Sequence, residues 1–299
     1  MGPRVIGAGI GFPGQGVDPV DTVRVLAEHA SDPLVATLAE VTGRRAWAPA
    51  DMADTRIAQP CVVAAGLLVA RSVDPAGVVA LLGHSLGEIT ALAHAGVIAP
   101  AAALALCRRR AEIGYAQQAA RPGRMLAVMK LDATEVEAVR AEAVARTGGA
   151  LGVAVVNGPR QLVLSGDLDA VDVALDLAFE HGGKARRLGI GGAYHTPLLA
   201  HVVASFTAEV AAVVSGEPSV PVVCSTAGVV RLAAEVPELL GLALVRPVRW
   251  PDALDRARAL GVDRGIDAGP GATLAGLARH LQTLPFEPLR TLGPLGERR

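Results

Sequence analysis

The sequence predicts an α/β fold in which a small unit interrupts a larger one. Short apolar strands alternate with longer helical stretches towards both ends of the chain, a pattern typical of α/β domains. Between Pro122 and His195 the order becomes strand, helix, strand, strand, helix, strand, which is the ferredoxin-like βαββαβ order. We therefore expect a discontinuous body formed by residues 1–122 and 196–299, a subdomain formed by residues 123–195, and a ligand cleft where the two meet.

The first part of the body is predicted to contain a strand that ends in a glycine-rich loop. The apolar run 5–10 leads into the sequence GFPGQG, residues 11–16, which indicates a tight turn with exposed backbone amides. A second strand, residues 78–82, stops at another glycine motif before helical character resumes over residues 88–95. The other helices of this part are predicted at residues 20–40, 59–69 and 100–118.

The inserted unit is predicted from its alternation of strands and helices. Its two helices, residues 133–144 and 168–180, follow Asp132 and Asp167, which are residues suited to capping a helix N-terminus. Its strands are predicted at residues 125–131, 151–156, 161–165 and 185–189. Beyond the insert, helices are predicted at residues 197–214, 251–260 and 272–281, and strands at residues 220–224 and 264–266.

Composition excludes several classes of function. A net charge of −1 and 3% aromatic residues provide neither the basic field nor the stacking surface of a nucleic-acid-binding protein. No apolar run reaches the roughly 18 residues that a membrane helix needs, and no leader pattern opens the chain, so a cytoplasmic protein is expected. The three cysteines are widely spaced, which favours neither a disulfide framework nor a metal site.

The strand-to-helix turn after residue 82 carries the first candidate for chemistry. Gly83-His84-Ser85-Leu86-Gly87 fits a nucleophile elbow, in which glycines permit a sharp turn that exposes the serine hydroxyl. The amide of Leu86, at the start of the following helix, can face a developing oxyanion. The alternative is an ordinary serine in a turn, and the strand and helix on either side favour the catalytic interpretation.

A nucleophilic serine needs a base, and seven histidines are available. His195 follows the small residues Gly191 to Ala193 and Tyr194 at the point where the chain re-enters the body beside the cleft. His84 is adjacent to the serine but would point away across the turn, so it is only a candidate substrate contact. The other five lie on predicted helices or their ends, where solvated or core histidines are expected. Spacing alone leaves the choice of His195 open.

Four motifs occur in order along the chain, and together they carry a resemblance. On these motifs the chain resembles the malonyl-CoA:acyl carrier protein transacylases and the acyltransferase domains of modular polyketide synthases, over nearly its whole length. The motifs are Phe12-Pro13-Gly14-Gln15-Gly16, Gly83-His84-Ser85-Leu86-Gly87-Glu88, Asn157-Gly158-Pro159 and Gly269-Pro270-Gly271.

The resemblance implies an α/β-hydrolase-like body with a ferredoxin-like insert, in agreement with the pattern of strands and helices. It also implies a Ser-His dyad whose base is held by a backbone carbonyl. Ser85 would be the nucleophile and His195 the general base and acid, and Gln15 and Leu86 would supply amides to an oxyanion hole. Asn157 would lie near the acyl group, with a polar turn residue before Gly-Pro as the alternative.

The resemblance further implies an arginine 25 positions after the serine, which is Arg110. A guanidinium presents two parallel donors to a carboxylate and would grip a malonyl group. Arg108 and Arg109 precede it, so a slip of one residue or a solvated basic turn is the alternative. The bulky Tyr194 before the histidine favours an unbranched malonyl group, although the approach to His195 matches neither familiar polyketide signature. The family's usual Gln is replaced here by Ala243.

The expected function is transfer of a malonyl or related carboxyacyl group from coenzyme A to the phosphopantetheine thiol of an acyl carrier protein. The mechanism would be ping-pong through an acyl-serine ester, without a metal or bound cofactor. Lys184, Arg186 and Arg187 are candidates for docking an acidic carrier, with a solvated strand edge as the alternative. The other functions considered are an editing thioester hydrolase, transfer of an unusual acyl group between carriers, and a silent scaffold. The pathway, fatty acid or polyketide, stays open.

Overall fold

The computed structural model describes residues 7–281 and 283–289, and these form a mixed α/β structure with two sheets. The α/β class expected from the sequence is therefore confirmed, while Val5 and Ile6 of the first predicted strand lie outside the described residues. The helices are α1 (Pro19–Glu28), α2 (Pro33–Thr42), α3 (Thr55–Ala70), α4 (Gly87–His94), α5 (Pro100–Ala120), α6 (Ala133–Thr147), α7 (Leu168–Glu180), α8 (Val203–Ala211), α9 (Val236–Ala243), α10 (Trp250–Ala259) and α11 (Thr273–Leu281). The strands are β1 (Gly7–Phe12), β2 (Val78–Gly83), β3 (Gly123–Met129), β4 (Leu151–Gly158), β5 (Gln161–Asp167), β6 (Lys184–Arg187), β7 (Val222–Cys224), β8 (Gly228–Val230), β9 (Val248–Arg249), β10 (Val262–Asp267) and β11 (Phe286–Pro288). Short 3₁₀ helices span Pro49–Ala53, Pro197–Val202 and Ala233–Glu235.

The larger sheet has the strand order β11-β10-β1-β2-β7-β8 and is parallel except for β8, which runs antiparallel to β7. Both faces of its central strands are covered, as parallel sheets require. On β2, Leu81 packs into the core formed with α3, α4 and α5, whereas Ala80 and Leu82 pack with α10 and α11. Phe12 is paired with Gly83, so the loops after β1 and β2 leave the sheet side by side.

The second sheet has the order β6-β3-β5-β4-β9. Its first four strands are antiparallel and have the ferredoxin-like order expected from the sequence. Helices α6 and α7 share a separate core with these strands, which includes Leu126, Leu164, Val139 and Val171. The fifth strand, β9, comes from the larger unit and lies parallel to β4, which the sequence did not predict. The division of the chain into two domains at residues 122 and 196 stays a prediction.

Two helices predicted as single stretches are interrupted in the structure. The stretch 20–40 forms α1 and α2, because the Asp32 side chain accepts from the amide of Leu34 and Pro33 occupies the first turn of a new helix. Proline has no amide proton and would break a helix interior, but it fits the first turn. The stretch 197–214 begins as a 3₁₀ turn and continues as α8 only to Ala211. No helix within the described residues is long and apolar enough to cross a membrane.

Candidate active site

A cavity of about 270 Å³ lies between the ends of β1 and β2 and the face of the second sheet. The second sheet contributes apolar side chains, including Met125, Ala127, Val155 and Val163. The cavity is therefore formed jointly by residues of both sheets, as expected for a ligand site between structural units. All eight candidate site residues from the sequence line it: Gln15, His84, Ser85, Leu86, Arg110, Asn157, Tyr194 and His195.

Ser85 occupies the turn between β2 and α4, and its φ of 55° lies in the left-handed region that residues with a side chain rarely adopt. The flanking glycines permit this turn because the backbone passes very close to them. A Cβ on Gly83 would lie 2.4 Å from the Cα of Glu88, and one on Gly87 would lie 1.9 Å from the carbonyl oxygen of Phe12. Neither position tolerates a side chain, so the G-x-S-x-G spacing is a steric requirement of this elbow.

His195 is within hydrogen-bonding distance of the serine. Its Nε2 lies 2.7 Å from Ser85 Oγ, and its Nδ1 lies 3.0 Å from the carbonyl oxygen of Arg246. Because a carbonyl can only accept, Nδ1 carries the ring proton, and Nε2 is left to accept the serine proton. The main chain of His195 is held as well, since its amide donates to the Leu244 carbonyl at 2.8 Å.

The surroundings of His195 keep its ring neutral. Burial, and then the positive charge of Arg110, lower the pKa of His195 to about 3. The imidazole is therefore unprotonated at neutral pH and is in the form that can accept a proton from Ser85. A negative group bound to Arg110 would offset part of this effect and make the ring more basic.

Most backbone amides of the elbow donate hydrogen bonds to other groups of the protein. Ser85 N–H donates to the Ser225 hydroxyl at 3.1 Å, Gly87 N–H to the His84 carbonyl, and Glu88 N–H to the Ser85 carbonyl. Within the described part of the chain, the Leu86 amide donates to no acceptor. It lies directly before α4, where the helix dipole favours negative charge. Leu86 therefore has a free backbone donor next to Ser85.

The loop after β1 brings Gln15 into the cavity next to the elbow, since a Cβ on the preceding Gly14 would lie 3.6 Å from Ser85 Cβ. Its side chain donates to Thr55 Oγ1 at 3.3 Å and accepts from Gln59 Nε2 at 3.2 Å. Thr55 Oγ1 also accepts from the amide of Gly191, at 3.0 Å. One side chain at the start of α3 thus holds both the Gln15 loop and the segment that leads to His195. Over the residues that the structure describes, the Gln15 amide also has no hydrogen-bond acceptor.

Arg110 extends from α5 into the cavity and is only 6% exposed. Its Nη2 lies 3.4 Å from Ser85 Oγ, and its guanidinium carbon lies 4.4 Å from the centre of the Tyr194 ring. The Tyr194 hydroxyl donates to the backbone carbonyl of Arg110 at 3.1 Å. Tyr194 therefore supports both the main chain and the charged head of this arginine. In the described ranges, Arg110 forms no ion pair with a carboxylate.

The neighbouring arginines face elsewhere. Arg108 pairs with Glu112 at 2.9 Å and Arg109 pairs with Glu209 at 3.0 Å, both on partly exposed surface. Arg110 alone of the three lines the cavity. The structure thus places the residue 25 positions after Ser85, and neither of its neighbours, beside the Ser85 hydroxyl.

Asn157 and His84 form a second polar contact in the cavity. His84 Nε2 donates to Asn157 Oδ1 at 2.8 Å, and the imidazole packs against the indole of Trp250 with ring centres 5.4 Å apart. Burial lowers the pKa of His84, so this ring is also neutral. His84 makes no hydrogen bond to Ser85 among the described residues, and it connects the elbow to strand β4.

Several residues that hold the site were not predicted from the sequence. Gln117 accepts from the amide of Ala193 at 3.1 Å and so fixes the segment before His195. The carbonyl that holds the His195 ring belongs to Arg246, a residue that the resemblance did not name. Ala243, which the sequence analysis placed at the position of the family's usual Gln, is a buried residue at the end of α9. Glu88 is fully buried under the elbow; only its place in the motif beside the serine could have indicated a role.

The three basic residues predicted to dock a carrier protein lie on the edge strand β6. Arg186, on the edge strand β6, lines the cavity, whereas Arg187 pairs with Asp172 at 2.8 Å. Lys184 is exposed and is paired in register with Met129 on β3. No group of three or more His, Cys, Asp or Glu side chains within residues 7–281 and 283–289 is arranged to hold a metal ion.

Comparisons with known proteins agree on one family. Residues 33–293 match the family model described as an acyl transferase domain. The malonyl CoA-acyl carrier protein transacylase of Bacillus subtilis is 30% identical over 243 residues, which cover 79% of this chain and 76% of that protein. The polyketide synthase GfsB of Streptomyces halstedii is 34% identical over 295 residues, or 91% of this chain but only 5% of that synthase.

The structure is also similar to solved structures of this kind. An acyl-carrier-protein S-malonyltransferase from Burkholderia pseudomallei superposes with a TM-score of 0.83 at 31% sequence identity, covering 95% of this chain and 96% of that one. The similarity therefore includes both sheets and the cavity between them.

Proposed function

This chain belongs to the acyl transferase domain family, and we propose that it transfers a malonyl group from coenzyme A to the phosphopantetheine thiol of an acyl carrier protein. The choice of acyl group rests on the environment of the Arg110 guanidinium. This group is buried, it has no carboxylate partner in the described part of the chain, and it lies 3.4 Å from the nucleophile. An unpaired buried cation is costly, and a substrate carboxylate at this place would remove that cost.

The first half-reaction acylates Ser85. His195 Nε2 takes the hydroxyl proton, Ser85 Oγ attacks the thioester carbonyl, and the amides of Gln15 and Leu86 stabilise the oxyanion. As the intermediate collapses, the C–S bond breaks and the His195 proton goes to the thiolate of coenzyme A. The Arg246 carbonyl stabilises the imidazolium formed in between, since it accepts the Nδ1 proton at 3.0 Å.

The second half-reaction reverses the first with a different thiol. His195 removes the proton of the phosphopantetheine thiol, the sulfur attacks the ester carbonyl, and Ser85 leaves with the proton returned through His195. Arg110 would hold the malonyl carboxylate in both halves, so the acyl group stays oriented while the thiols exchange. The bulky Tyr194 ring lines the cavity next to Arg110, which supports an unbranched malonyl group. The cytoplasmic location stays a prediction.

Trapping the acyl-enzyme tests this proposal. Incubation with malonyl-CoA should add one malonyl group to the wild-type protein by intact mass and none to Ser85→Ala. Addition of a phosphopantetheinylated carrier protein should then move that mass to the carrier. Rapid release of free malonate without loading of the carrier would instead identify the editing hydrolase. Absence of any adduct on wild type, or an undiminished one on Ser85→Ala, would refute the acyl-serine mechanism.

A further inference from the structure

The side chain beneath the elbow is a carboxylate that touches none of the reacting atoms. Glu88 lies in the first turn of α4 and has 0% exposure. It accepts three hydrogen bonds at 2.9 Å, one from the Ser225 hydroxyl and two from the amide and hydroxyl of Thr226. A buried carboxylate needs this number of donors to be tolerated at all.

One of these donors connects Glu88 to the nucleophile. A serine hydroxyl has a single proton, and Ser225 donates it to Glu88, so the Ser225 oxygen presents its lone pairs to the amide of Ser85. Glu88 therefore sets the direction in which Ser225 accepts. Without this acceptor the hydroxyl could rotate and offer its proton, instead of a lone pair, to the Ser85 amide.

The Ser85 amide needs such a partner because the elbow is strained. A residue with a side chain in the left-handed region is strained and persists only where its surroundings fix it. Ser225 is itself fixed, since its amide donates to the Gly83 carbonyl at 3.2 Å and its carbonyl accepts from the Arg249 amide at 2.8 Å. Arg249 belongs to β9, so this contact also connects the elbow to the strand that joins the second sheet.

We propose that Glu88 is a positioning residue that acts through Ser225 on the main chain of the nucleophile. Together they hold Ser85 at the φ that directs its hydroxyl to His195, and they keep the neighbouring Leu86 amide free. This inference assumes only that Ser85 is the nucleophile, a part of the proposed function that does not depend on which acyl group is transferred.

A fluorophosphonate probe tests the inference without an acyl donor, because it reports the reactivity of Ser85 directly. Ser225→Ala and Glu88→Ala should each slow labelling of Ser85 by about 10- to 100-fold, as expected when buried hydrogen-bonding groups are left without partners. The labelling rate of Glu88→Gln should stay within about threefold of wild type. The Gln Oε1 still accepts from Ser225 and from the Thr226 amide, and its side-chain NH₂ group donates to the Thr226 hydroxyl. With malonyl-CoA, the loss should fall on kcat more than on KM.

Two further variants distinguish positioning from general loss of stability. Val139→Ala opens a cavity in the separate core of α6 and the second sheet, so it should lower Tm while leaving the labelling rate unchanged. The double variant Glu88→Ala/Ser225→Ala should be no slower than the slower single variant, because the two residues act in series.

The inference would be overturned if folded Ser225→Ala were labelled at the wild-type rate, if the losses of the two single variants multiplied in the double variant, or if Val139→Ala slowed labelling to the same extent. Labelling that behaves as expected while malonyl-CoA gives no acyl-enzyme would refute the proposed acyl donor and leave the role of Glu88 intact.

Discussion

Replacing Arg110 by alanine should change the choice of acyl donor more than any other single substitution in the cavity. The guanidinium is buried beside Ser85 and rests on the Tyr194 ring, so a malonyl carboxylate bound there would be largely out of water. Removing one partner of a buried ion pair leaves the other charge unpaired and costs about 3–5 kcal/mol. An acetyl group has no such charge and would not incur this cost.

The expected effect on malonyl transfer follows from that energy. At about 1.4 kcal/mol for each factor of ten, kcat/KM for malonyl-CoA should fall by about 150- to 4,000-fold in Arg110→Ala. The reactivity towards acetyl-CoA should increase relative to malonyl-CoA by the same factor. Loss of the positive charge also removes one of the causes that lower the pKa of His195, so the remaining acetyl transfer should use a more basic imidazole.

Acylation kinetics with the two donors measure this ratio, and Arg109→Ala is the matched control. Arg109 is the preceding residue on the same helix, but it pairs with Glu209 on the surface, so its removal should leave both donors unaffected. An equal loss with malonyl-CoA and acetyl-CoA in Arg110→Ala would show that Arg110 does not bind the carboxylate. An Arg109→Ala variant with the same altered preference would refute the assignment of the site.

Two other outcomes are expected. A Cβ on Gly114 would lie 2.1 Å from the Tyr194 hydroxyl oxygen, so Gly114→Ala should displace the ring under Arg110, lower stability by about 1–3 kcal/mol and reduce malonyl-CoA turnover. Gly152→Ala, where a Cβ meets no atom within 4 Å, is the control, and equal thermal denaturation curves for the two variants would contradict the expectation. Burial raises the pKa of the Glu88 carboxyl from 4.5 to about 7, so the folded state binds more protons than the unfolded state between those values. The stability that Glu88 contributes is therefore present below pH 4.5 and is lost as pH rises to about 7. Since Gln does not ionise, the free energy of unfolding of Glu88→Gln, measured by urea denaturation, should increase by about 3 kcal/mol relative to that of wild type between these pH values. Parallel pH profiles of the two proteins would contradict it.

The sequence by itself determined the features that depend on residues close together in the chain. The elbow at Ser85 could be predicted because the steric demand on Gly83 and Gly87 arises within one turn between a strand and a helix. The α/β class and the ferredoxin-like order followed from the alternation of strands and helices. The break at Pro33 could have been predicted in the same way, since Asp32 and Pro33 form a local capping signal that the helical spacing of residues 20–40 obscured.

The resemblance named distant groups as candidates, and the tertiary structure decided how they meet. Arg108, Arg109 and Arg110 are the same residue type on one helix, so residue type does not distinguish them. The packing of α5 turns Arg110 towards Ser85, whereas Arg108 and Arg109 form ion pairs at the surface. The carbonyl that holds His195 belongs to Arg246, 51 residues away, and a carbonyl has no signature in the sequence.

The contacts beneath Ser85 likewise depend on the tertiary structure. Glu88 and Ser225 are 137 residues apart and meet because β7 lies beside β2, with Cys224 paired to Gly83. Strand register of this kind is fixed by the packing of the whole sheet and by no local pattern. The sequence thus determined the turn at Ser85, and its resemblance named His195 and Arg110 as candidates, whereas the contacts that bring these groups and Glu88 around Ser85 exist only once the two sheets have packed together.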